Sequence, residues 1–337
     1  MRILVIAPSW VGDTVLAQPL FRLLHQKHPQ LALDVLAPGW TLPLLARMPE
    51  VRRAIANPYS HGELRLGKRR RLGLTLAEEG YDQAIVLPNS FKSALVPFFA
   101  GIPLRTGYLG ELRWGLLNDV RRLDTRALPL MVERFAALAG AAGEPLTRPL
   151  PSAHLEVDEN NRLAILRKFA LEPRQPVIAL CPGAEYGPAK RWPAKYFAEL
   201  AQRLSSRGCE VWLIGSAKDT ALGAEIAALS NDSCANLCGK TTLDQAVDLL
   251  ASAQLAISND SGLMHVAAAL NKPLVALYGS SSPAFTPPLS ASATILKLDL
   301  SCSPCFKREC PLGHFNCMMQ LTPDRVFEAV DFDKIRP

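Results

Sequence analysis

The sequence predicts an α/β protein with two doubly wound parallel sheets, one in each half of the chain. Three observations lead there. Short apolar runs of strand length alternate with runs of helical periodicity in both halves. The chain has 337 residues, too many for one ordinary core. A proline-rich stretch, 144–158, reads EPLTRPLPSAHLEVD and separates two copies of the pattern. The expected domains are therefore 1–150 and 159–337, with 144–158 as the linker.

In the first half, Arg2–Ala7 is an apolar strand and Pro8–Thr14 is expected as a loop. Val15–His28 then shows apolar residues at helical spacing, with Pro19 making its first turn irregular or separate. The loop is no dinucleotide fingerprint: it has a single glycine, Gly12, followed by Asp13. Leu31–Leu36 and Val51–Ala56 are further strands, with a short helix at Thr41–Arg47 between them. Arg65–Arg71 (RLGKRRR) is the densest basic run, and the glycines argue against a rigid helix across it. Gln83–Leu87 is a strand, Phe91–Ala100 a helix, Arg105–Tyr108 the approach to a loop containing Trp114, and Glu133–Ala142 an Ala-rich helix.

The second half restarts with a helix at Glu159–Ala170 and a strand at Val177–Cys181. A loop with two glycines and two prolines follows and ends in Lys190-Arg191. Trp192-Pro193 opens a helix to about Arg207, with proline in the first turn, where it is tolerated. Glu210–Ile214 is a strand, and Asp219 or Thr220 caps the next helix. Leu237 ends a short strand, and a helix runs from Thr241 to Ala251. The stretch around which this half is organised is Ser258–Pro283. Leu255–Ile257 closes a strand, Asn259-Asp260-Ser261-Gly262 is a turn, Leu263–Leu270 a helix and Pro273–Leu277 the next strand.

Three loops thus fall at one sheet edge: Gly183–Lys190, Gly215–Asp219 and Asn259–Gly262. Ligands of open α/β sheets bind at that edge, and anions favour helix starts. Together the loops suit a nucleoside diphosphate, with Lys190 and the helix start for phosphates and Asp219 for ribose hydroxyls. Taken one at a time, a solvated lysine and an ordinary N-cap are the competing readings.

Charge is uneven. Residues 1–150 hold 19 Lys+Arg against 12 Asp+Glu; residues 151–337 hold 18 against 19. A basic first half suits an anionic partner: nucleic acid, a membrane surface or a phosphorylated substrate. A plain solvated surface is the alternative. No apolar run approaches the ~18 residues of a spanning helix. The opening MRILVIAPSW reads as a strand rather than a secretion signal, so a cytoplasmic location is expected.

Eight cysteines are present. Cys181, Cys209, Cys234 and Cys238 lie in or beside apolar strands and read as buried small side chains. Cys302, Cys305, Cys310 and Cys317 cluster with His314 at a spacing compatible with zinc. The reading preferred for these four is free, partly buried thiols and no required metal.

Four segments taken together resemble glycosyltransferase family 9 over essentially the whole chain. They are WVGDT at 10–14, PGAEYGPAKRWP at 182–193, NDSGLMH at 259–265 and CSPCFKRECPLGH at 302–314. The resemblance implies a GT-B fold, two Rossmann-like domains facing a cleft, with acceptor on the first and sugar nucleotide on the second. It implies metal-independent, inverting transfer of heptose from ADP-heptose, without a cofactor. The implied acceptor is Kdo and phosphorylated lipid A carrying one heptose, met at the cytoplasmic surface of the inner membrane, and nucleic acid is not a partner. By motif, Asp13 would be the base, Lys190 a diphosphate contact, and Asp260, Ser261, Gly262 and His265 the donor lining. Asp219 matches more loosely, and Leu243 would meet the adenine. Two alternatives stand: a family 9 transferase with another acceptor, such as one lacking heptose, and a non-catalytic sugar-nucleotide-binding protein. The missing glycine fingerprint disfavours an NAD oxidoreductase.

Overall fold

The computed structural model describes residues 1–59 and 62–335. The last two residues of the expected second domain, 336–337, lie outside the described residues. The chain divides into two compact units between Ala153 and His154.

The first unit is built on strands β1 (Arg2–Ile6), β2 (Ala32–Pro38), β3 (Arg53–Asn57), β4 (Gln83–Val86), β5 (Leu104–Tyr108) and β6 (Asp119–Arg121). They form one sheet in the order β3-β2-β1-β4-β5-β6, and every neighbouring pair is parallel. β1 is buried from Ile3 to Ile6, as expected of a central strand covered on both faces. The helices are α1 (Val11–Lys27), α2 (Leu42–Leu45), α3 (Leu66–Ala77), α4 (Leu95–Phe99) and α5 (Met131–Ala136).

Three sequence expectations change here. The loop after β1 is shorter than expected, because α1 begins at Val11 and is continuous through Pro19. Its first turn closes where Thr14 donates its backbone N–H and its hydroxyl to Trp10 O, each at 2.9 Å. The basic run is helical from Leu66 onward despite Gly67, and the helix continues past Gly73. A Cβ at Gly73 would lie 2.6 Å from Phe99 Cβ and 2.9 Å from Val96 O, so this glycine is what lets α3 press against α4. Arg105–Tyr108, expected only as the approach to a loop, belongs to strand β5.

The second unit carries α6 (Glu159–Lys168), β7 (Val177–Cys181), α7 (Ala194–Ser206), β8 (Glu210–Leu213), α8 (Thr220–Leu229) and β9 (Ala235–Asn236). It continues with α9 (Leu243–Ser252), β10 (Leu255–Asn259), α10 (Gly262–Ala269), β11 (Leu274–Tyr278) and β12 (Ala293–Lys297). Helices α11 (Asn316–Met319) and α12 (Pro323–Glu328) close it. Its parallel sheet has the order β12-β11-β10-β7-β8-β9. Read from β9, this repeats the first unit's order strand for strand. Both are the doubly wound topology in which the strand order reverses beside the first strand. The switch points therefore lie between β1 and β4 and between β7 and β10. Among the described residues no helix is long and apolar enough to cross a membrane.

Of the first four cysteines, Cys181, Cys209 and Cys238 are buried, while Cys234 is only half-buried. Burial raises the thiol pKa of all four, that of Cys238 to about 12.

Candidate active site

In the first unit, Asp13 follows β1 at the switch point. It is the third residue of α1, whose N-cap is Trp10, so Asp13 does not cap the helix. Its carboxylate lies in the first helical turn, where the backbone dipoles favour negative charge.

In the second unit the loops after β7 and β10 meet at the other switch point. Asn259, fully buried at the end of β10, ties them together. It donates from Nδ2 to Pro182 O at 2.7 Å and accepts from Trp192 N–H at 3.1 Å. This bridge brings Lys190 beside Asp260, with Nζ 2.6 Å from Oδ2. The same Oδ2 accepts from the Ser281 hydroxyl. Sequence reasoning missed Ser281, which sits in the Ser280–Ser282 run after β11. Three hydroxyl residues at the C-terminal edge of the next strand were the available signal. Lys190 Nζ also lies 5.2 Å from the centroid of the Tyr186 ring.

Helix α10 begins at Gly262, with Ser261 as N-cap. The Ser261 side chain makes no capping bond; its hydroxyl faces the Ser258 hydroxyl at 3.3 Å. The first N–H groups of α10 thus receive no side-chain bond from their N-cap. Asp260 does not cap this helix either: its backbone N–H donates to Leu277 O at 3.0 Å, and its carboxylate goes to Lys190 and Ser281.

His265, one turn into α10, is 4% exposed, and its Nδ1 has no hydrogen-bond partner. Burial lowers its pKa to about 4; Asp260 pulls the other way and Lys190 adds to the lowering. The imidazole is therefore neutral at physiological pH and holds a buried polar atom in reserve beside the Lys190–Asp260 pair.

Asp219 is 7% exposed and closes a capping box, its Oδ2 accepting from Ser216 N–H at 2.9 Å and Ser216 Oγ at 2.8 Å. Asp219 is the N-cap residue of α8, as the sequence suggested, but its side chain is turned to Ser216 and makes no cap bond to that helix. A Cβ on Gly183 would stand 2.4 Å from Asp219 Oδ2, so the loop after β7 and the turn after β8 touch at this glycine. Leu243 is the first residue of α9, half-buried, behind a Thr242–Gln245 capping box.

The segment after β12 folds back on the Lys190 loop. Ala189 N–H donates to Arg308 O at 3.0 Å, and Tyr186 OH to Phe306 O at 2.8 Å. Gly187 passes so near that a Cβ would meet Arg308 O at 2.5 Å. Cys302, Cys305, Cys310 and Cys317 are free thiols, and with His314 and Ala189 they line one cavity of about 20 Å³. Among the described residues no group of three or more His, Cys, Asp or Glu is placed to hold a metal ion. Backbone N–H groups, Phe315's foremost, lower the pKa of the Cys310 thiol.

A helix start without a side-chain cap bond, a lysine oriented by a carboxylate and a buried neutral histidine gather at the switch point of a doubly wound sheet, an arrangement whose chemistry suits a phosphate-bearing ligand. Residues 69–316 match the family description "Glycosyltransferase family 9 (heptosyltransferase)". The chain belongs to glycosyltransferase family 9. It is 53% identical to lipopolysaccharide heptosyltransferase 2 of Escherichia coli K12, over 98% of each chain. It is 52% identical to the enzyme of the same name from Salmonella typhimurium, over 98% of this chain and 97% of that one. A solved structure of E. coli ADP-heptose LPS heptosyltransferase II superposes with a TM-score of 0.88 at 51% identity, covering 97% of each chain. The two six-stranded parallel sheets are those of the GT-B class that the sequence predicted.

Proposed function

We propose that this chain is a lipopolysaccharide heptosyltransferase of the second type. It moves heptose from ADP-heptose to the first heptose of the inner core, on Kdo and phosphorylated lipid A. The observation that carries this reading is the full-length likeness, above one half in identity, to enzymes bearing that name. The first unit takes the acceptor and the second takes the donor. The enzyme works at the cytoplasmic face of the inner membrane.

The residues support an inverting displacement without a metal. The acceptor hydroxyl attacks the anomeric carbon on the face opposite the diphosphate. The bond from that carbon to the diphosphate oxygen breaks, and its electron pair leaves with ADP. Asp13 accepts the hydroxyl proton as general base. Lys190 has three N–H donors; one is held by Asp260, which aims the others at the diphosphate. The free N–H groups at the start of α10, through Ser261 and Gly262, receive a phosphate oxygen. Preoriented donors of this kind stabilise the charge that develops on the leaving group. Asp219, whose two bonds from Ser216 both fall on Oδ2, offers Oδ1 to the ribose hydroxyls. His265 supplies a neutral hydrogen-bonding nitrogen to the donor, and Leu243 an apolar contact for adenine.

The test is mass spectrometry of products from ADP-heptose and a series of truncated lipopolysaccharide acceptors. One added heptose on an acceptor that already carries one is the expected product. Transfer only to the heptose-free acceptor would reassign the chain to the first type.

A further inference from the structure

We propose that the first unit inserts an apolar loop tip into an anionic lipid bilayer, with the exposed cations of α3 resting on the headgroups. The lipid nature of the acceptor, and so the choice of a bilayer, rests on the heptosyltransferase reading above. The surface itself rests on side chains.

Leu112 is 83% exposed and Trp114 63%, while Arg113 between them is 1% exposed. Arg113 points inward and donates to Pro88 O at 2.6 Å, to Ser93 Oγ at 3.2 Å and to Tyr108 O. An inward arginine at the middle position forces both neighbours outward, so the loop holds its two apolar side chains in water by construction. A second buried arginine ties α3 to the same segment. Arg69, 4% exposed, donates to Leu64 O at 2.6 Å, Glu63 O at 3.1 Å and Lys92 O at 3.3 Å. Its guanidinium lies 4.3 Å from the centroid of the Tyr59 ring. The segment from Pro88 to Ser93 is thus clamped from both sides. It joins the loop tip to the start of α3, where Leu64 and Leu66 are each 50% exposed.

Lys68, Arg70 and Arg71 are exposed on α3. Two carboxylates beside these elements are engaged: Glu63 with Arg65 at 2.7 Å, and Glu111 with the Phe91 N–H at 2.8 Å. Exposed cations and an exposed Trp and Leu, on two elements tied to one segment, match the chemistry of an anionic bilayer. Tryptophan settles at the headgroup level, aliphatic chains enter the acyl boundary, and lysine and arginine meet the phosphates. The apolar side chains stand in solvent at 83% and 63% exposure, which fits a broad soft surface.

The experiment uses the full chain with vesicles of phosphatidylcholine alone or mixed with phosphatidylglycerol. The parent is expected to sediment with the anionic vesicles and to be released by salt. Leu112→Ser with Trp114→Ser is expected to bind at least about tenfold more weakly, with unchanged melting and unchanged turnover of a deacylated, water-soluble acceptor. Brominated lipid should quench tryptophan emission in the parent, and Trp114→Phe should lose that quenching. Failure of the parent to bind anionic vesicles overturns the proposal, as does parent-like binding by the loop variant. Binding lost on Arg70→Ser with Arg71→Ser but kept in the loop variant overturns insertion. A parent that binds vesicles yet transfers no heptose to the soluble acceptor tells against the enzymatic reading and leaves the docking surface standing.

Discussion

Lys190 Nζ and Asp260 Oδ2 lie 2.6 Å apart, although seventy positions separate them in the chain. The pair is nearly enclosed, with side-chain exposures of 16% and 4%. Removing the lysine has two effects that can be read separately. A hydrogen bond to a charged group contributes ~1–3 kcal/mol, so Lys190→Ala should weaken ADP by that amount in calorimetry. It also leaves a carboxylate buried beside Ser281 alone, so thermal stability should fall. Lys190→Ala with Asp260→Ala should recover part of the stability and none of the ADP affinity. Unchanged ADP affinity in a folded Lys190→Ala chain would remove the lysine from the donor site.

Asp13→Asn separates catalysis from helix stability. At the third position of α1 the charge favours the helix by ~0.3–1 kcal/mol, so melting should drop only slightly. Loss of a general base costs ~10²–10⁴ in rate, or roughly 3–5 kcal/mol of barrier. Single-turnover transfer should slow by that factor while ADP-heptose affinity holds. A rate within about threefold of the parent would leave Asp13 as a helix-start residue only.

His265 should make the protein acid-sensitive in a defined window. Its pKa is about 4 in the fold against 6.5 in the unfolded reference. Between those values the unfolded chain holds a proton at this position and the folded chain does not, so acid favours unfolding. Stability from this group is complete above pH 6.5 and is lost progressively toward pH 4, on the order of 3 kcal/mol in all. Denaturant titrations of the parent and of His265→Gln across pH 4–7 should diverge in slope. Parallel curves would mean that the imidazole is not held neutral.

Gly183→Ala should push the Asp219 carboxylate out of place, because the new Cβ meets all three of its terminal atoms within 2.8 Å. Overpacking of this kind costs ~1–3 kcal/mol. Adding Asp219→Ala should restore part of that loss, since the two residues are in contact and their effects are not additive. If Asp219 serves the ribose, both single variants should weaken ADP-heptose to a similar degree. Additive losses of stability would show that the two positions do not clash.

Strands with continuous apolar runs, such as β1, β7, β10 and β11, were legible because burial on both faces leaves no polar position to confuse the period. β12 was not, since it is an edge strand with no buried side chain and with Thr294, Ile295 and Lys297 exposed. α3 was obscured by Gly73, whose helix penalty is offset by a contact with α4 that no local rule can see. The same limit applies at the candidate site. The motif residues Lys190, Asp260 and His265 could be named one by one, and the sheet order could place their loops at one edge. That the lysine and the aspartate would pair, with Ser281 on the same oxygen, depends on Asn259 reaching across to Pro182. Asp13 was read as a loop residue because Trp10, an unusual N-cap with no side-chain acceptor, gives no signal for a helix start.

The backbone bond from Ala189 to Arg308, and the close passage of Gly187 beneath it, set an order of events during synthesis. Chains fold from the N-terminus as they emerge, one cooperative unit at a time. The loop bearing Lys190 leaves the ribosome more than a hundred residues before the carbonyl that fixes it. The first unit can be finished, and the second sheet largely laid down, while that loop is still unfastened. If Lys190 serves the donor, that service waits for Arg308, and a ribosome stalled shortly before it would carry a nascent chain whose first unit is complete and whose Lys190 loop is not yet fastened.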